Sequence, residues 1–187
     1  MKPHLKLLFT ATSIVALLSA CDRAPDLQHQ QTEQLSSVVA QTPKSIATEH
    51  AELHETLAHV AAEGGEMAAA AGKLEGALAP HFKREEQIAT PPLGLLPALA
   101  RGDATAEMRS VLPMTHALER ELPQMLREHE AIRDALIKFR LAAEHGGRQD
   151  CVRFADNLAA HARQEEELLY PAAILVGRYV ERTAPQR

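Results

Sequence analysis

A pattern of histidine and glutamate occurs twice in this chain, about eighty residues apart. Segments 78–91 and 158–171 both read Leu-Ala-x-His-x-x-x-Glu-Glu, and both end in proline. Each follows a shorter repeat, Glu-His-x-x-Leu at 49–53 or Glu-His-x-x-Ile at 128–132. A duplication at this spacing predicts two similar pairs of structural elements. The repeated polar set consists of four histidines and two glutamates: His50, His81, Glu85, His129, His161 and Glu165.

Apolar residues around the repeats recur every three or four positions, which is the period of an amphipathic helix. Four such stripes run over residues 46–60, 67–88, 118–143 and 151–176. Glycine or proline pairs follow the first three stripes and predict helix ends there. The fourth stripe is expected to continue from Glu165 through Leu168 and Ala172 on the same face. No segment alternates as a strand would. We therefore expect an all-α protein, an antiparallel four-helix bundle over residues 46–180.

Some residues should interrupt this regular pattern. Pro80, Pro113 and Pro123 lie within helical patterns. Because proline lacks a backbone N–H, each should kink, break or start a helix. Residues 93–104 are interrupted by glycine and proline and are expected to connect the second helix to the third.

The N-terminus has the pattern of a secretion signal. Lys2 and Lys6 precede an apolar run over residues 7–18. That run is too short to span a bilayer, which takes ~20 residues, so residues 1–20 are predicted to be a signal peptide. The final Leu-Ser-Ala-Cys resembles the lipobox of bacterial lipoproteins, which implies a lipid on Cys21. Ordinary cleavage after Ala20 is the alternative.

These features predict a periplasmic protein that is attached to a membrane through lipid on Cys21. Asp22 resembles the signal for retention at the inner membrane in enterobacterial lipoproteins. Residues 21–45 are polar and are expected to form a tether between the lipid and the bundle. A lipidated Cys21 leaves Cys151 without a disulfide partner, and we expect Cys151 to be a buried apolar residue.

The charge of the chain argues against nucleic-acid binding. Without residues 1–20 the chain carries 18 basic and 25 acidic residues, a formal charge of about −7. No basic patch is visible in the sequence, and aromatic residues make up only 3% of it. A nucleic-acid partner is therefore not expected.

The six repeated polar residues fall on the apolar stripes of the predicted helices. Burying a carboxylate or an imidazole without a partner is unfavourable, so six such residues in one core require a common partner. Residues at i and i+4 share a helix face, so His81 with Glu85 and His161 with Glu165 could each chelate a metal. Two ions fit this set, with two histidines on each and both carboxylates between them.

This arrangement resembles the hemerythrin-like, or HHE cation-binding, domain over roughly residues 46–180. The resemblance lies in the order H…HxxxE…H…HxxxE on four helices, and it implies a carboxylate-bridged di-iron centre. The histidines would be terminal ligands, and Glu85 and Glu165 would be bridging ligands. The donor types alone suit Fe, Mn or Zn, so two iron ions are implied by the resemblance. Ferritin-like bundles use Glu-x-x-His instead, which the core stripes lack.

The sequence lacks one feature of the oxygen-carrying hemerythrins. These resemble this chain but carry a fifth histidine, in an HxxxH on the third helix. Here Met125 and Arg133 stand four residues on either side of His129. An extra open metal position is therefore expected, and the physiological ligand is left open.

The first functional hypothesis is reversible binding or sensing of O2 or NO. The second is a stress-response enzyme that reduces NO or peroxide, or that donates iron for cluster repair. Metal storage or a zinc-loaded structural bundle is the third. No electron-transfer motif or resolving cysteine is visible, so no electron-transfer partner is identified, and autonomous redox turnover is disfavoured.

Residues next to the six predicted ligands provide two alternative candidates for metal ligands. His54 lies one turn after His50 and is a candidate fifth ligand. Glu166 could substitute for Glu165, or it could orient ligands from outside the site, as Glu86 could. Tyr170 is expected to be a packing residue near a helix end.

Overall fold

The computed structural model describes residues 40–186. The predicted signal peptide, Cys21, Asp22 and most of the predicted tether lie outside these residues. All regular structure in residues 40–186 is helical, which confirms the predicted all-α fold.

Four long helical segments form the bundle. They are α1 (Lys44–Ala62), α2 (Gly65–Ile88), α4 (Leu112–His145) and a continuous last helix made of α5 (Gln149–Gln164), a π-helical turn (Glu165–Leu169) and α6 (Tyr170–Thr183). Helix α2 packs against α1 and α4, and α4 packs against α5 and α6. Among the described residues, no helix combines the length and apolar character that a membrane span requires.

The segment between α2 and α4 is folded, not extended. It consists of a 3-10 turn (Pro91–Leu95), the single-turn helix α3 (Leu96–Leu99) and a second 3-10 turn (Ala106–Val111). Leu95 and Met108 from this segment are fully buried and pack with Val176 of α6. The predicted connection therefore also covers one end of the bundle.

Glycines make the two tight connections between long helices. Gly64 and Gly65 have φ angles of 85° and 78°, and Gly147 has a φ of 66°. Residues with a Cβ are strained at these angles, so glycine is favoured there. Pro113 lies in the first turn of α4 as predicted, whereas α2 and α4 continue unbroken through Pro80 and Pro123.

Two apolar clusters lie on either side of a polar layer. One contains Leu78, Ile132 and Leu158, and the other contains Met125 and Tyr170. The predicted ligands lie between these clusters along each helix. The apolar periodicity therefore places the six polar residues at one level of the bundle.

The predicted stripe of the last helix is wrong at Leu168, although Val176 at its end is buried as expected. Leu168 is 63% exposed, whereas Tyr170 is only 1% exposed. The cause is the π-helical turn, in which the amide of Tyr170 donates to the carbonyl of Glu165, five residues earlier. This turn holds one more residue than an α-helical turn. The buried face therefore continues through Tyr170 and Ala173.

Candidate metal centre

All six predicted ligands meet in the core of the bundle. Each of their side chains is at most 4% exposed. Helix α1 provides His50 and α4 provides His129, whereas α2 and the last helix each provide a His-x-x-x-Glu pair. The structure thus brings together the residues that the repeat singled out, and their role as metal ligands stays a prediction.

The donor atoms form two groups that share one carboxylate. In each group, atoms from every member lie within 4.8 Å of one another. The first group contains His81, Glu85, His129 and Glu165, and the second contains His50, His161 and Glu165. Two groups of this kind suit two ions.

Each carboxylate has one oxygen directed at each group. Glu165 Oε2 lies 3.3 Å from His129 Nε2, and Glu165 Oε1 lies 2.7 Å from His161 Nε2. Glu85 Oε1 lies 3.6 Å from His81 Nε2, and Glu85 Oε2 lies 3.8 Å from His50 Nε2. Both glutamates are therefore placed where a bridging carboxylate would be required.

Several buried donor atoms of this cluster have no hydrogen-bond partner within residues 40–186. These atoms are His50 Nδ1, His50 Nε2, His161 Nε2, Glu85 Oε2 and Glu165 Oε1. His161 Nε2 and Glu165 Oε1 are close to each other but out of alignment for a hydrogen bond. A buried polar atom without a partner costs roughly 1–3 kcal/mol. Coordination to cations would satisfy His50 Nε2, His161 Nε2, Glu85 Oε2 and Glu165 Oε1, so the residues fit a metal.

A second set of glutamates approaches the other ring nitrogen, Nδ1, of each histidine. The four pairs are His81–Glu128 at 2.9 Å, His129–Glu166 at 2.7 Å, His161–Glu49 at 3.1 Å and His50–Glu86 at 3.7 Å. An Nδ1 that donates to a carboxylate leaves Nε2 unprotonated and able to bind a metal. The hydrogen bonds of His81 and His129 therefore favour the tautomer in which Nε2 is the ligand.

These outer pairs follow the sequence duplication. Glu128 precedes His129 but hydrogen-bonds to His81 of the other repeat. In the same way, Glu49 precedes His50 but contacts His161. Exchanging the two repeats maps one pair onto the other, so the duplication appears in space as an approximate two-fold relationship.

The two central carboxylates ionise differently in the absence of a metal. Burial and the charge of Glu165 raise the pKa of Glu85 well above its ordinary value. Burial also opposes ionisation of Glu165, but its contacts with the imidazoles of His129, His161 and His50 lower the pKa of Glu165 well below its ordinary value. The pKa values of the two carboxyls therefore shift in opposite directions. Cations at this position would favour ionisation of both carboxylates.

Tyr170 also belongs to the cluster, although it is not among the six predicted ligands. The Tyr170 hydroxyl donates a hydrogen bond to Glu85 Oε1. It also lies 3.3 Å from His81 Nε2 and 3.2 Å from His129 Nε2. Burial and the charges of Glu85 and Glu165 raise the pKa of Tyr170 far above its ordinary value. The apolar period gave no signal for this position, because the π-helical turn displaces it.

His54 and Glu166, the two alternatives, lie outside the donor cluster. His54 is 35% exposed, and its Nδ1 lies 2.7 Å from Glu75 Oε1. Glu166 is 26% exposed and contacts Nδ1 of His129 together with Arg133. Cys151 is buried, as expected.

A surface groove of about 480 Å³ between α4 and α6 reaches the ring of Tyr170. Its walls include the apolar side chains of Leu122, Leu126 and Ile174. Because the Tyr170 hydroxyl lies in the donor cluster, Tyr170 contributes to both the groove and the cluster.

A helical bundle in which histidines and carboxylates converge at one buried level defines a class of cation-binding proteins. The model of the hemerythrin HHE cation binding domain matches residues 26–173, and the chain belongs to this family. No curated protein and no solved structure matches the chain. Both the family and the buried cluster of histidines and glutamates therefore indicate cation binding.

Proposed function

We propose that this protein is a non-haem di-iron protein of hemerythrin type that binds or senses O2 or NO. The observation that carries the proposal is that Glu85 and Glu165 each direct one oxygen at each of two groups of imidazole nitrogens. When bound, iron would supply the electrons and the coordination position that a small diatomic ligand requires.

In this proposal the chain holds and shields the two ions. His50, His81, His129 and His161 are terminal ligands, and Glu85 and Glu165 are bridges. The Phe82 ring stacks on His50 at a centroid distance of 4.1 Å, and Tyr170 closes the inner end of the groove between α4 and α6. Apolar surroundings of this kind limit access of water and suit an uncharged ligand.

The compartment is a further part of the proposal. A lipid on Cys21 would hold the domain at the periplasmic side of a membrane, and Asp22 favours the inner membrane. Cys21→Ser should release the protein into the soluble periplasmic fraction, whereas Cys151→Ser should leave it membrane-bound. Wild-type protein in the cytoplasm or in the outer membrane would contradict this part alone.

Metal analysis of anaerobically purified protein tests the proposal, followed by optical spectra on addition of O2 and of NO. The expected result is two irons per chain and an adduct band that disappears when the gas is removed. Rapid oxidation without a recoverable adduct would contradict reversible binding and favour a redox enzyme. Full occupancy by zinc without iron uptake would contradict both functions.

A further inference from the structure

We propose that Tyr170 is itself a metal ligand, binding through its phenolate oxygen at the end of the centre formed by His81 and His129. The inference rests on the dinuclear centre proposed above and adds a protein donor to one of its two ions. The two ions would then have different ligands. The coordination position at which a small molecule can bind would lie on the ion held by His50 and His161.

The position of the hydroxyl supports this role. Tyr170 Oη lies 3.2 Å from His129 Nε2 and 3.3 Å from His81 Nε2, and it hydrogen-bonds to Glu85 Oε1. These three partners belong to the first donor group. The Tyr170 ring is nearly parallel to that of His129, at an interplanar angle of 26°. The phenol oxygen therefore lies among the imidazole and carboxylate donor atoms of this group.

The backbone places this side chain in the cluster. Glu165 and Tyr170 are five residues apart, and at that distance a regular α-helix would turn the second residue away from the face of the first. The π-helical turn over Glu165–Leu169 restores the common face. Short π-helical turns within α-helices occur frequently at functional sites. Here the irregular turn has a specific consequence, because it brings a hydroxyl into the donor cluster.

The first repeat has no equivalent phenol. Thr90 stands at the position that matches Tyr170. Its hydroxyl contacts the Thr42 hydroxyl at 2.8 Å and lies 3.4 Å from the backbone carbonyl of Glu85. Thr90 is thus engaged with neighbours other than the donor atoms. The two repeats differ at this position, so a phenol is available to only one ion.

The other end of the centre contains most of the donor atoms without partners. His50 Nε2, His161 Nε2 and Glu165 Oε1 have no hydrogen bond among the described residues. We therefore assign the exchangeable coordination position to the ion held by His50 and His161. The phenolate closes the His81–His129 end, next to Met125 in the same apolar cluster.

Ligation requires that the phenol lose its proton. The O–H bond of Tyr170 breaks as the bond from oxygen to metal forms, and the proton leaves to solvent. Metal binding is therefore coupled to the release of this proton, as is general for protonated ligands. No oxidant or reductant takes part in this step.

The tyrosine content of the chain makes the test specific. The chain has two tyrosines and no tryptophan. Tyr179 lies on α6 but is 40% exposed, so Tyr179→Phe is a matched control for Tyr170→Phe. Zn2+ is added to metal-free protein, and tyrosinate formation is followed by ultraviolet difference spectra. Bound metal is counted in the same samples, and the iron(III) forms are compared for a visible charge-transfer band from tyrosinate to iron.

We expect a tyrosinate signal from one residue in wild type and Tyr179→Phe, and complete loss of it in Tyr170→Phe, which should still bind two metals. Metal binding without a tyrosinate signal in wild type would overturn this inference and leave the dinuclear centre standing. A signal that persists in Tyr170→Phe would also overturn it. If no metal binds to wild type, both proposals fail. If Tyr170→Phe does not fold, the comparison of wild type with Tyr179→Phe still decides whether Tyr170 ionises.

Discussion

The hydroxyl of Tyr170 donates a hydrogen bond to the carboxylate of Glu85, 85 positions earlier in the chain. Tyr170 begins α6 and Glu85 lies near the end of α2, so the contact joins the last helix to the donor cluster. The bond stabilises the ionised carboxylate and so opposes the effect of burial on Glu85. The π-helical turn therefore affects the ionisation of Glu85 through the hydroxyl of Tyr170.

Neutralising Glu85 should stabilise the metal-free protein near neutral pH. The raised pKa of Glu85 means that the folded chain holds this proton more tightly than the unfolded chain. Its contribution to stability is therefore fully present below the unfolded pKa of about 4.3 and is lost as pH rises through the folded-state pKa. Glu85→Gln, which cannot ionise, should therefore exceed wild type in unfolding free energy at pH 7.

Urea unfolding of chelator-treated protein at pH 4 and pH 7 checks this expectation. The difference between Glu85→Gln and wild type should disappear at pH 4. Glu86→Gln alters a neighbouring side chain that is 53% exposed and should change stability by less than about 0.5 kcal/mol. A Glu85→Gln variant that is less stable than wild type at pH 7 would show that the buried charge is already compensated.

Removing a histidine of the cluster should remove metal. His81→Ala deletes a donor and should eliminate any stabilisation that metal gives to the folded state. That stabilisation is about 2.7 kcal/mol at a free metal concentration of 100 Kd. Thermal unfolding with and without metal measures it, and His59→Ala, at a residue 81% exposed, is the control. Two metals retained in His81→Ala would refute the ligand assignment.

The outer glutamates should affect metal affinity according to their distance from Nδ1. Glu166 Oε1 lies 2.7 Å from His129 Nδ1, whereas Glu86 Oε1 lies 3.7 Å from His50 Nδ1. Loss of such an orienting partner typically weakens metal binding by about 10–100-fold. Glu166→Gln should fall in this range in a competition titration with a chelator, and Glu86→Gln should have a smaller effect. Equal effects would mean that these contacts do not orient the rings.

The packing of α6 against α4 depends on the absence of a side chain at Gly177. A Cβ there would lie 2.2 Å from the Thr115 hydroxyl oxygen. Gly177→Ala should therefore lower the unfolding free energy by about 1–3 kcal/mol, the usual cost of overpacking. Gly76→Ala is the matched control, because a Cβ at Gly76 has no atom within 4 Å. It should raise stability by about 0.4–1 kcal/mol.

The sequence was sufficient to predict the four helices and the level at which their polar residues meet. His50 and His129 each lie on an apolar stripe, and a helix has only one face that can bury that stripe. The Glu-Glu pairs of the repeats also indicated Glu86 and Glu166 as carboxylates that could orient ligands, whereas no such role was predicted for Glu49 and Glu128. Which histidine each would contact depends on how the helices are arranged in space, as the contact between Glu128 and His81 shows.

The course of the last helix could not be predicted from the apolar period. A change from i→i+4 to i→i+5 hydrogen bonding shifts every later residue on the helix face. The period placed Leu168 inside, whereas Tyr170 is the buried residue. The same shift explains why Tyr170 could not be predicted to lie in the site.

The central claim is a carboxylate-bridged pair of irons in the bundle core, and anomalous diffraction at the iron edge tests it most directly. We predict two iron peaks about 3.5–4 Å apart, the usual separation in two-metal sites. Both peaks should lie between Glu85 and Glu165, one next to His81 and His129 and the other next to His50 and His161. A single peak, or iron bound only at the surface of the bundle, would contradict the claim.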